Sequence, residues 1–163
     1  MGLEHDIERI GLQEQRLQFQ QFDANTAWHL GARLRQLALG RDLAIAIDIR
    51  VNGHLLFHHA MPGATPDNAD WIRRKCNLVQ RYQCSSYLMK LRLEQKQTTL
   101  EERGMSTADF AAAGGCFPIL LRGTGCVGTV TVSGLPQRED HALVVEALAE
   151  MLDQPLAGLA LAD

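Results

Sequence analysis

The chain has 163 residues, of which 16 are basic and 19 acidic, and its formal net charge is −3 at pH 7. This length suits one ordinary domain, and a weak negative charge gives no field that would attract nucleic acid or an anionic membrane. The N-terminal segment lacks the pattern of a secretory signal, and no apolar run is long enough to span a bilayer. We therefore expect one cytoplasmic domain over residues 1–163 that binds neither nucleic acid nor membrane.

Apolar residues at helical spacing predict two helices at the start of the chain. The first covers about residues 3–17, where the apolar positions alternate with Glu, Gln and Arg. The second lies within residues 23–40, where Asp23 or Asn25 can cap the start and Gly40 supplies the stop.

The dipeptide Asn52-Gly53 predicts a hairpin between two β-rich segments. Both central residues of a tight hairpin turn need positive φ, and Asn-Gly meets that requirement at little cost. We place the two strands near residues 43–51 and 54–60.

Three histidines, His54, His58 and His59, lie in the second of these strands. Because side chains alternate along a strand, we expect His54 and His58 on one face and His59 on the other. The first two would lie about 13 Å apart, too far to share one metal ion. No metal site is predicted.

A third helix is predicted over residues 66–83, with Thr65 as its N-cap and Pro66 at its first position. A further helical stretch of residues 85–104 follows and ends at Gly104.

A second hairpin is predicted with strands near residues 116–122 and 125–133, followed by a last helix of about residues 136–152. Strands paired as local hairpins favour an α/β (α+β) fold, in which an antiparallel sheet is flanked by helices. The glycines of residues 123–128 lie inside a hairpin and do not open a helix, so a phosphate-binding loop is disfavoured.

Lys75 lies in the middle of an apolar face when residues 66–83 are placed on a helical wheel, between Trp71 and Leu78. In one interpretation its stem packs on the aromatic neighbours while its ammonium group reaches water. In the other it sits in a partly dry pocket, where it holds an anion or acts as a base or amine nucleophile.

His141 lies on the apolar face of the last helix, in its first turn. It is either a histidine that is hydrogen-bonded at the edge of the core or a group that transfers protons or binds a ligand. Glu139 and Asp140 complement the helix dipole, and Asp140 can also orient His141 or pair with a basic residue. Backbone N–H groups that follow Ser133-Gly134 could bind an anion.

The four cysteines, Cys76, Cys84, Cys116 and Cys126, form neither a C-x-x-C pair nor a zinc-finger spacing with histidine. We expect them to be free thiols in a reducing compartment.

Two segments, "AIDIRVNGHLLFHHAMPGATPDNADWIRRKCNLV" and "GTVTVSGLPQREDHALVVEAL", together resemble the haem-degrading-domain (GlcG/HbpS-like) superfamily, and most closely its branch known as uncharacterised protein family 0303. The resemblance covers about residues 4–152. It implies a profilin-like fold and a homo-oligomer. The positions that match the superfamily are Asp48, Gly53, Lys75, Gly128, Ser133, Gly134 and Asp140.

We expect the protein to bind a small anionic molecule in a pocket between the 66–83 helix and the start of the last helix. The alternatives are binding or breakdown of haem at one of the histidines, and a structural assembly or partner-binding protein. Haem is the one cofactor that the resemblance makes possible, and no catalytic motif settles whether the protein is an enzyme. The predicted ligand-binding residues are Lys75, Arg74, Ser133, Gly134, Arg138, Asp140 and His141.

Overall fold

A computed structural model describes residues 2–163, and its elements follow the predicted order. The helices are α1 (Leu3–Arg16), α2 (Ala24–Gly40), α3 (Pro66–Tyr82), α4 (Ser86–Gln95) and α5 (Gln137–Met151). The strands are β1 (Ala46–Val51), β2 (His54–Ala60), β3 (Cys116–Leu121) and β4 (Gly125–Ser133). Two short 3-10 helices cover Glu101–Arg103 and Leu156–Gly158.

The four strands form one antiparallel sheet in the order β2-β1-β4-β3. Each hairpin contributes two neighbours, and the sheet is joined through the pairing of β1 with β4. The predicted antiparallel sheet built from hairpins and flanked by helices is therefore confirmed.

The helical stretch predicted over residues 85–104 is too long. Helix α4 ends at Gln95, and Gln97 adopts a positive φ of 51° that no α-helix can continue. The hydroxyl of Thr99 then accepts the N–H of Glu102, within the short 3-10 helix that follows.

The two faces of the sheet differ sharply in polarity. Helices α2 and α5 cover one face, and the main core there contains Ile47, Phe117, Val130 and Val132, which are fully buried. Helix α3 covers the other face, and α4 packs against α1 beside it.

Polar side chains line the sheet beneath α3. The residues of β1 and β4 that alternate with the apolar core positions include Asp48, Thr129, Thr131 and Ser133, all buried. Burying so many polar groups costs free energy unless they are hydrogen-bonded. Helix α3 supplies partners for three of them, through Cys76 and Asn68, whereas Asp48 is bonded by Arg50 and His58 of the sheet itself. This requirement places functional side chains between α3 and the sheet.

The register between β1 and β2 shifts by one residue near the middle of the pair. His58 lies opposite Asp48, whereas His54 lies beyond the shift and opposite Val51. Asp48 and Val51 point to opposite faces of β1, so the expectation that His54 and His58 share a face is wrong. The extra residue in β2 breaks the simple alternation.

No helix in residues 2–163 combines the length and apolar character that a membrane crossing requires.

Candidate functional site

A buried ion pair joins α3 to α5. The Nζ atom of Lys75 lies 3.3 Å from Oδ2 of Asp140, and each side chain is only 3% exposed. Nζ also donates to the carbonyl oxygen of Val132 at 3.2 Å. The interpretation in which the Lys75 ammonium extends into bulk water is therefore wrong, because the side chain is almost fully buried and its ammonium is held by Asp140 and Val132.

The sequence sets the position of Lys75 through the start of α3. The backbone N–H of Asn68 donates to the Thr65 carbonyl at 3.0 Å, and the Asn68 side chain accepts the N–H of Thr65 at 2.9 Å. This capping box fixes where the helix begins and hence which of its residues face the sheet. Gly115, at φ 132°, leaves room for the lysine, since a Cβ atom there would lie 2.7 Å from Nζ.

Asp140 occupies the anion position that the sequence pattern indicated after Ser133-Gly134. Its Oδ1 atom accepts the backbone N–H of Leu135 at 2.9 Å, while Oδ2 faces Lys75. Gly134, at φ 148°, allows the chain to turn sharply between β4 and α5. The Asp140 carboxylate thus accepts the backbone hydrogen bond in this turn that was predicted for an external anion.

Burial shifts the pKa of both partners toward neutrality. It raises the pKa of Asp140 from 3.8 to about 6, since the charge of Lys75 and the hydrogen bonds only partly offset the lost hydration. Burial also lowers the pKa of Lys75, although the Asp140 carboxylate opposes this shift. Asp140 is thereby able to take up a proton close to neutral pH.

A cleft of about 260 Å³, here named the Lys75 cleft, opens above this ion pair. The predicted site residues that line it are Lys75, Ser133, Gly134 and Asp140. The residues that line it without having been predicted include Asp67, Asn68, Trp71, Gly114 and Gln137. The first turns of α3 and α5 both face the cleft, and only the tertiary packing of the two helices reveals this.

Arg74 lies outside the Lys75 cleft, in an adjoining groove of about 470 Å³ that shares Trp71 and Gln137 with it. Its guanidinium carbon is 4.1 Å from the centre of the Trp71 ring, and Nε donates to Asp70 at 2.9 Å. Arg74 therefore faces away from Lys75, across the indole.

Arg138 also lies outside the Lys75 cleft, contrary to the predicted grouping. Its Nη1 atom lies 2.7 Å from Oδ2 of Asp6, and the same guanidinium donates to the Tyr87 hydroxyl and the Ala162 carbonyl. Arg138 thus ties α1 and the C-terminal segment to the start of α5, which is a structural role.

His141 is buried in the core and does not line the cleft. Its Nε2 atom is 2.8 Å from Oε1 of Gln13, and its ring lies between the rings of Tyr87 and Phe117. Burial lowers the pKa of His141 to about 3, so the ring is neutral at pH 7. Successive residues of a helix are rotated by about 100° around its axis, so Asp140 and His141 contact different neighbours.

A second candidate site is a groove of about 480 Å³ between α2 and the edge strand β2. Trp28, Arg35, Phe57 and His59 contribute to it, and Trp28 is 62% exposed. The neighbouring His58 also borders this groove, but its ring is hydrogen-bonded on the other face of the sheet, where Nδ1 lies 3.0 Å from Asp48.

A family model and a similar protein sequence both assign this chain to one family. The family model described as "Haem degrading protein HbpS-like" matches residues 22–149. The UPF0303 protein of Azotobacter vinelandii is 60% identical over 162 residues, which cover 99% of this chain and 98% of that protein.

Several solved structures share the fold, among them the following two. The crystal structure of Ybr137w superposes with a TM-score of 0.83 at 30% identity, covering 90% of this chain and 87% of that one. The structure of a PduOC–heme complex superposes with a TM-score of 0.66 at 16% identity, covering 78% of this chain and 93% of that one. At that identity, the second likeness concerns the fold alone.

The ion pair can be tested by a double-mutant cycle. Lys75→Met or Asp140→Asn alone leaves one polar partner buried without its counter-charge, so each should lower the free energy of unfolding by about 3–5 kcal/mol. The double variant should lose clearly less than the sum, as measured by urea unfolding. The matched control is the exposed pair Arg41–Glu146, whose cycle should give at most about 1 kcal/mol of coupling. Additive losses at Lys75 and Asp140 would contradict the pairing.

The buried His141 should make the protein sensitive to acid. The unfolded chain takes up a proton at this histidine near its ordinary pKa of 6.5, whereas the folded protein does not until about pH 3. The free energy of unfolding should therefore fall as pH falls through this range, by up to about 1.4 kcal/mol per pH unit from this group. His141→Gln should flatten that dependence in urea unfolding at several pH values.

The matched control for this measurement is His54→Gln, which removes a surface histidine and leaves the His141 ring in place. The raised pKa of Asp140 acts with the opposite sign, because the folded protein then binds a proton before the unfolded chain does. Asp140 is present in both proteins, so its contribution cancels in the comparison. Identical slopes for wild type and His141→Gln would refute a neutral, buried His141.

Proposed function

This chain belongs to the family of haem-degrading HbpS-like proteins, and from that premise we propose that it binds a small anion in the Lys75 cleft, with proton uptake by Asp140. The family by itself names no ligand for this cleft. The proposal rests on the charges and hydrogen bonds of the cleft.

The observation that carries the proposal is a nearly buried lysine ammonium that lines the cleft and is not fully used as a donor. An ammonium group has three N–H donors. In the part of the chain that the structure describes, Lys75 uses two of them, toward Val132 and Asp140. The first turns of α3 and α5 add partial positive charge from their N-terminal amides.

The Asp140 carboxylate is the main obstacle to an external anion. While it is ionised, it neutralises Lys75 and repels a second negative charge. Protonation removes both effects and leaves the Lys75 charge for the ligand. Because burial has already raised the pKa of Asp140 to about 6, this protonation costs little near neutral pH. Binding of the anion should therefore be linked to the uptake of one proton.

The dimensions of the cleft favour a small ligand. Its volume of about 260 Å³ falls just below the range of typical drug-sized pockets, about 300–1,000 Å³. The exposed carboxylate of Asp67 stands at the rim and opposes negative charge. A compact anion that reaches Lys75 and stays clear of Asp67 fits these constraints.

Sulfate is a suitable probe, since its charge stays constant from about pH 8 to about pH 5. Trp71 lines the cleft and Trp28 is the other tryptophan of the chain, so a Trp28→Phe variant makes the fluorescence specific to the site. The Kd for sulfate should rise by about tenfold per pH unit above the Asp140 pKa of about 6, and level off below it.

Three variants in the same background sharpen this test. Asp140→Asn should bind sulfate with a Kd that no longer follows this pH profile, and Lys75→Met should not bind it. Asp67→Asn should bind sulfate more tightly, a gain that general destabilisation would not produce. Equal Kd values for wild type and Lys75→Met would reject the cleft as the anion site.

Haem binding is the second candidate function, and the groove between α2 and β2 favours it. Trp28 and Phe57 offer aromatic surface for a macrocycle, Arg35 offers a partner for propionates, and His59 offers a ligand for iron. His58 fits less well, because its ring turns to the opposite face and is hydrogen-bonded to Asp48. His59 is therefore the residue that would hold haem.

Adding haem to the purified protein tests this candidate. If the groove binds haem, the Soret band should differ from that of free haem, His59→Ala should abolish the difference, and His58→Ala should retain it. A wild-type spectrum identical to that of free haem would remove haem as a ligand. Loss of the band in His58→Ala alone would move the site to the other face of β2.

A further inference from the structure

Two buried cysteines meet beneath α3, on the polar face of the sheet. The Sγ atoms of Cys76 in α3 and Cys116 at the start of β3 are 4.0 Å apart, and both residues are buried. They follow Lys75 and Gly115 in the chain, so the close approach of those two neighbours also brings the cysteines together.

The surroundings of Cys76 favour its thiolate form. The Cys116 thiol points toward Cys76 Sγ, and the hydroxyl groups of Thr131 and Thr129 lie 3.3 Å and 3.5 Å from the same sulfur. These hydrogen bonds, led by that of Cys116, lower the pKa of Cys76 to about 7 against the effects of burial and of the nearby Asp48 carboxylate. Burial and the adjacent Cys76 raise the pKa of Cys116, so Cys76 loses its proton first.

We propose that Cys76 and Cys116 form a redox-active dithiol that hydrogen peroxide converts to a disulfide. Cys76 is the attacking thiolate and Cys116 resolves the intermediate. This dithiol adjoins the Lys75 cleft, but the proposal rests neither on anion binding nor on haem binding.

The chemistry balances in two steps. The Cys76 sulfur attacks one peroxide oxygen, the O–O bond breaks, and the departing oxygen takes a proton to leave as water, which leaves a sulfenic acid on Cys76. The Cys116 sulfur then loses its proton and attacks the Cys76 sulfur. The S–S bond forms, the S–O bond breaks, and a second water leaves. The two sulfurs together lose two electrons, which the peroxide gains.

The two sulfurs already lie close to each other, 4.0 Å apart. A disulfide requires them to approach to about 2.05 Å, so this separation must shrink by rotation of the side chains together with movement of α3 toward the sheet. Peroxide is little larger than water, and it can reach the pair through local opening beside the Lys75 cleft, which borders Gly114 and Lys75. Cys84 and Cys126 have no such partner sulfur among the hydrogen-bond contacts of the described residues.

Trypsin separates all four cysteines, which makes the test direct. Cys76 falls in the peptide 76–81, Cys116 in 104–122, Cys84 in 82–90 and Cys126 in 123–138. The folded full chain is treated with peroxide at rising concentration until Cys126, the least buried thiol, is modified. Catalase then removes the peroxide, and N-ethylmaleimide in guanidinium blocks the remaining thiols before digestion without reductant.

The expected result is a cross-linked species of peptides 76–81 and 104–122 that disappears on treatment with dithiothreitol. In Cys116→Ser the cross-link should be absent, and dimedone should trap the Cys76 sulfenic acid. In the control Cys84→Ser the cross-link should form as in wild type. Recovery of Cys76 and Cys116 as two separate maleimide adducts, or a cross-link that joins either one to Cys84 or Cys126, would overturn the proposal.

Discussion

The buried ion pair between Lys75 and Asp140 is the interaction on which the arrangement of this protein depends. It connects α3, the end of β4 and the first turn of α5 at one point, with the Val132 carbonyl and the Leu135 amide as further partners. Removing two charges from water is costly, so the pair persists only because each partner is also hydrogen-bonded to the backbone. The same cost raises the pKa of Asp140 to about 6, which allows this carboxylate to take up a proton close to neutral pH.

The unequal polarity of the two sheet faces explains why the titratable groups of the site lie beneath α3. Apolar residues fill the face under α2 and α5, and they supply the packing that stabilises the fold. The face under α3 instead holds a carboxylate, hydroxyl groups and the Cys116 thiol, and Lys75 and Cys76 of α3 pack against it. The ion pair and the dithiol are neighbours because Lys75 and Cys76 are consecutive in α3. They lie against Gly115 and Cys116, which are consecutive at the start of β3.

Local patterns in the sequence are sufficient for most of the fold. Asn52-Gly53, the capping box at Thr65 and the glycines after Leu121 each act over a few residues, so the hairpins and helix starts were predictable. The length of α4 and the irregular register of β2 were not, because a positive φ at Gln97 and an extra strand residue leave little trace in apolar periodicity.

The candidate site was only partly predictable, because local patterns indicate single residues and not their distant partners. Helical periodicity indicates that Lys75 and His141 are polar residues on apolar helix faces, and both are buried. Their partners lie far away in the chain: Asp140 is 65 residues from Lys75, and Gln13 is 128 residues from His141. Arg138 was misassigned for the same reason, since Asp6 lies 132 residues away. Side-chain pairing over such separations is decided by packing, which no local pattern encodes.

The most direct test of this account is a pH titration of the Asp140 side-chain carboxyl carbon by nuclear magnetic resonance, with and without saturating sulfate. The account predicts a midpoint at about pH 6 in the free protein and a clearly higher midpoint with sulfate, because an anion beside Lys75 favours the protonated acid. A midpoint near the ordinary value of 3.8, or one that sulfate leaves unchanged, would contradict it.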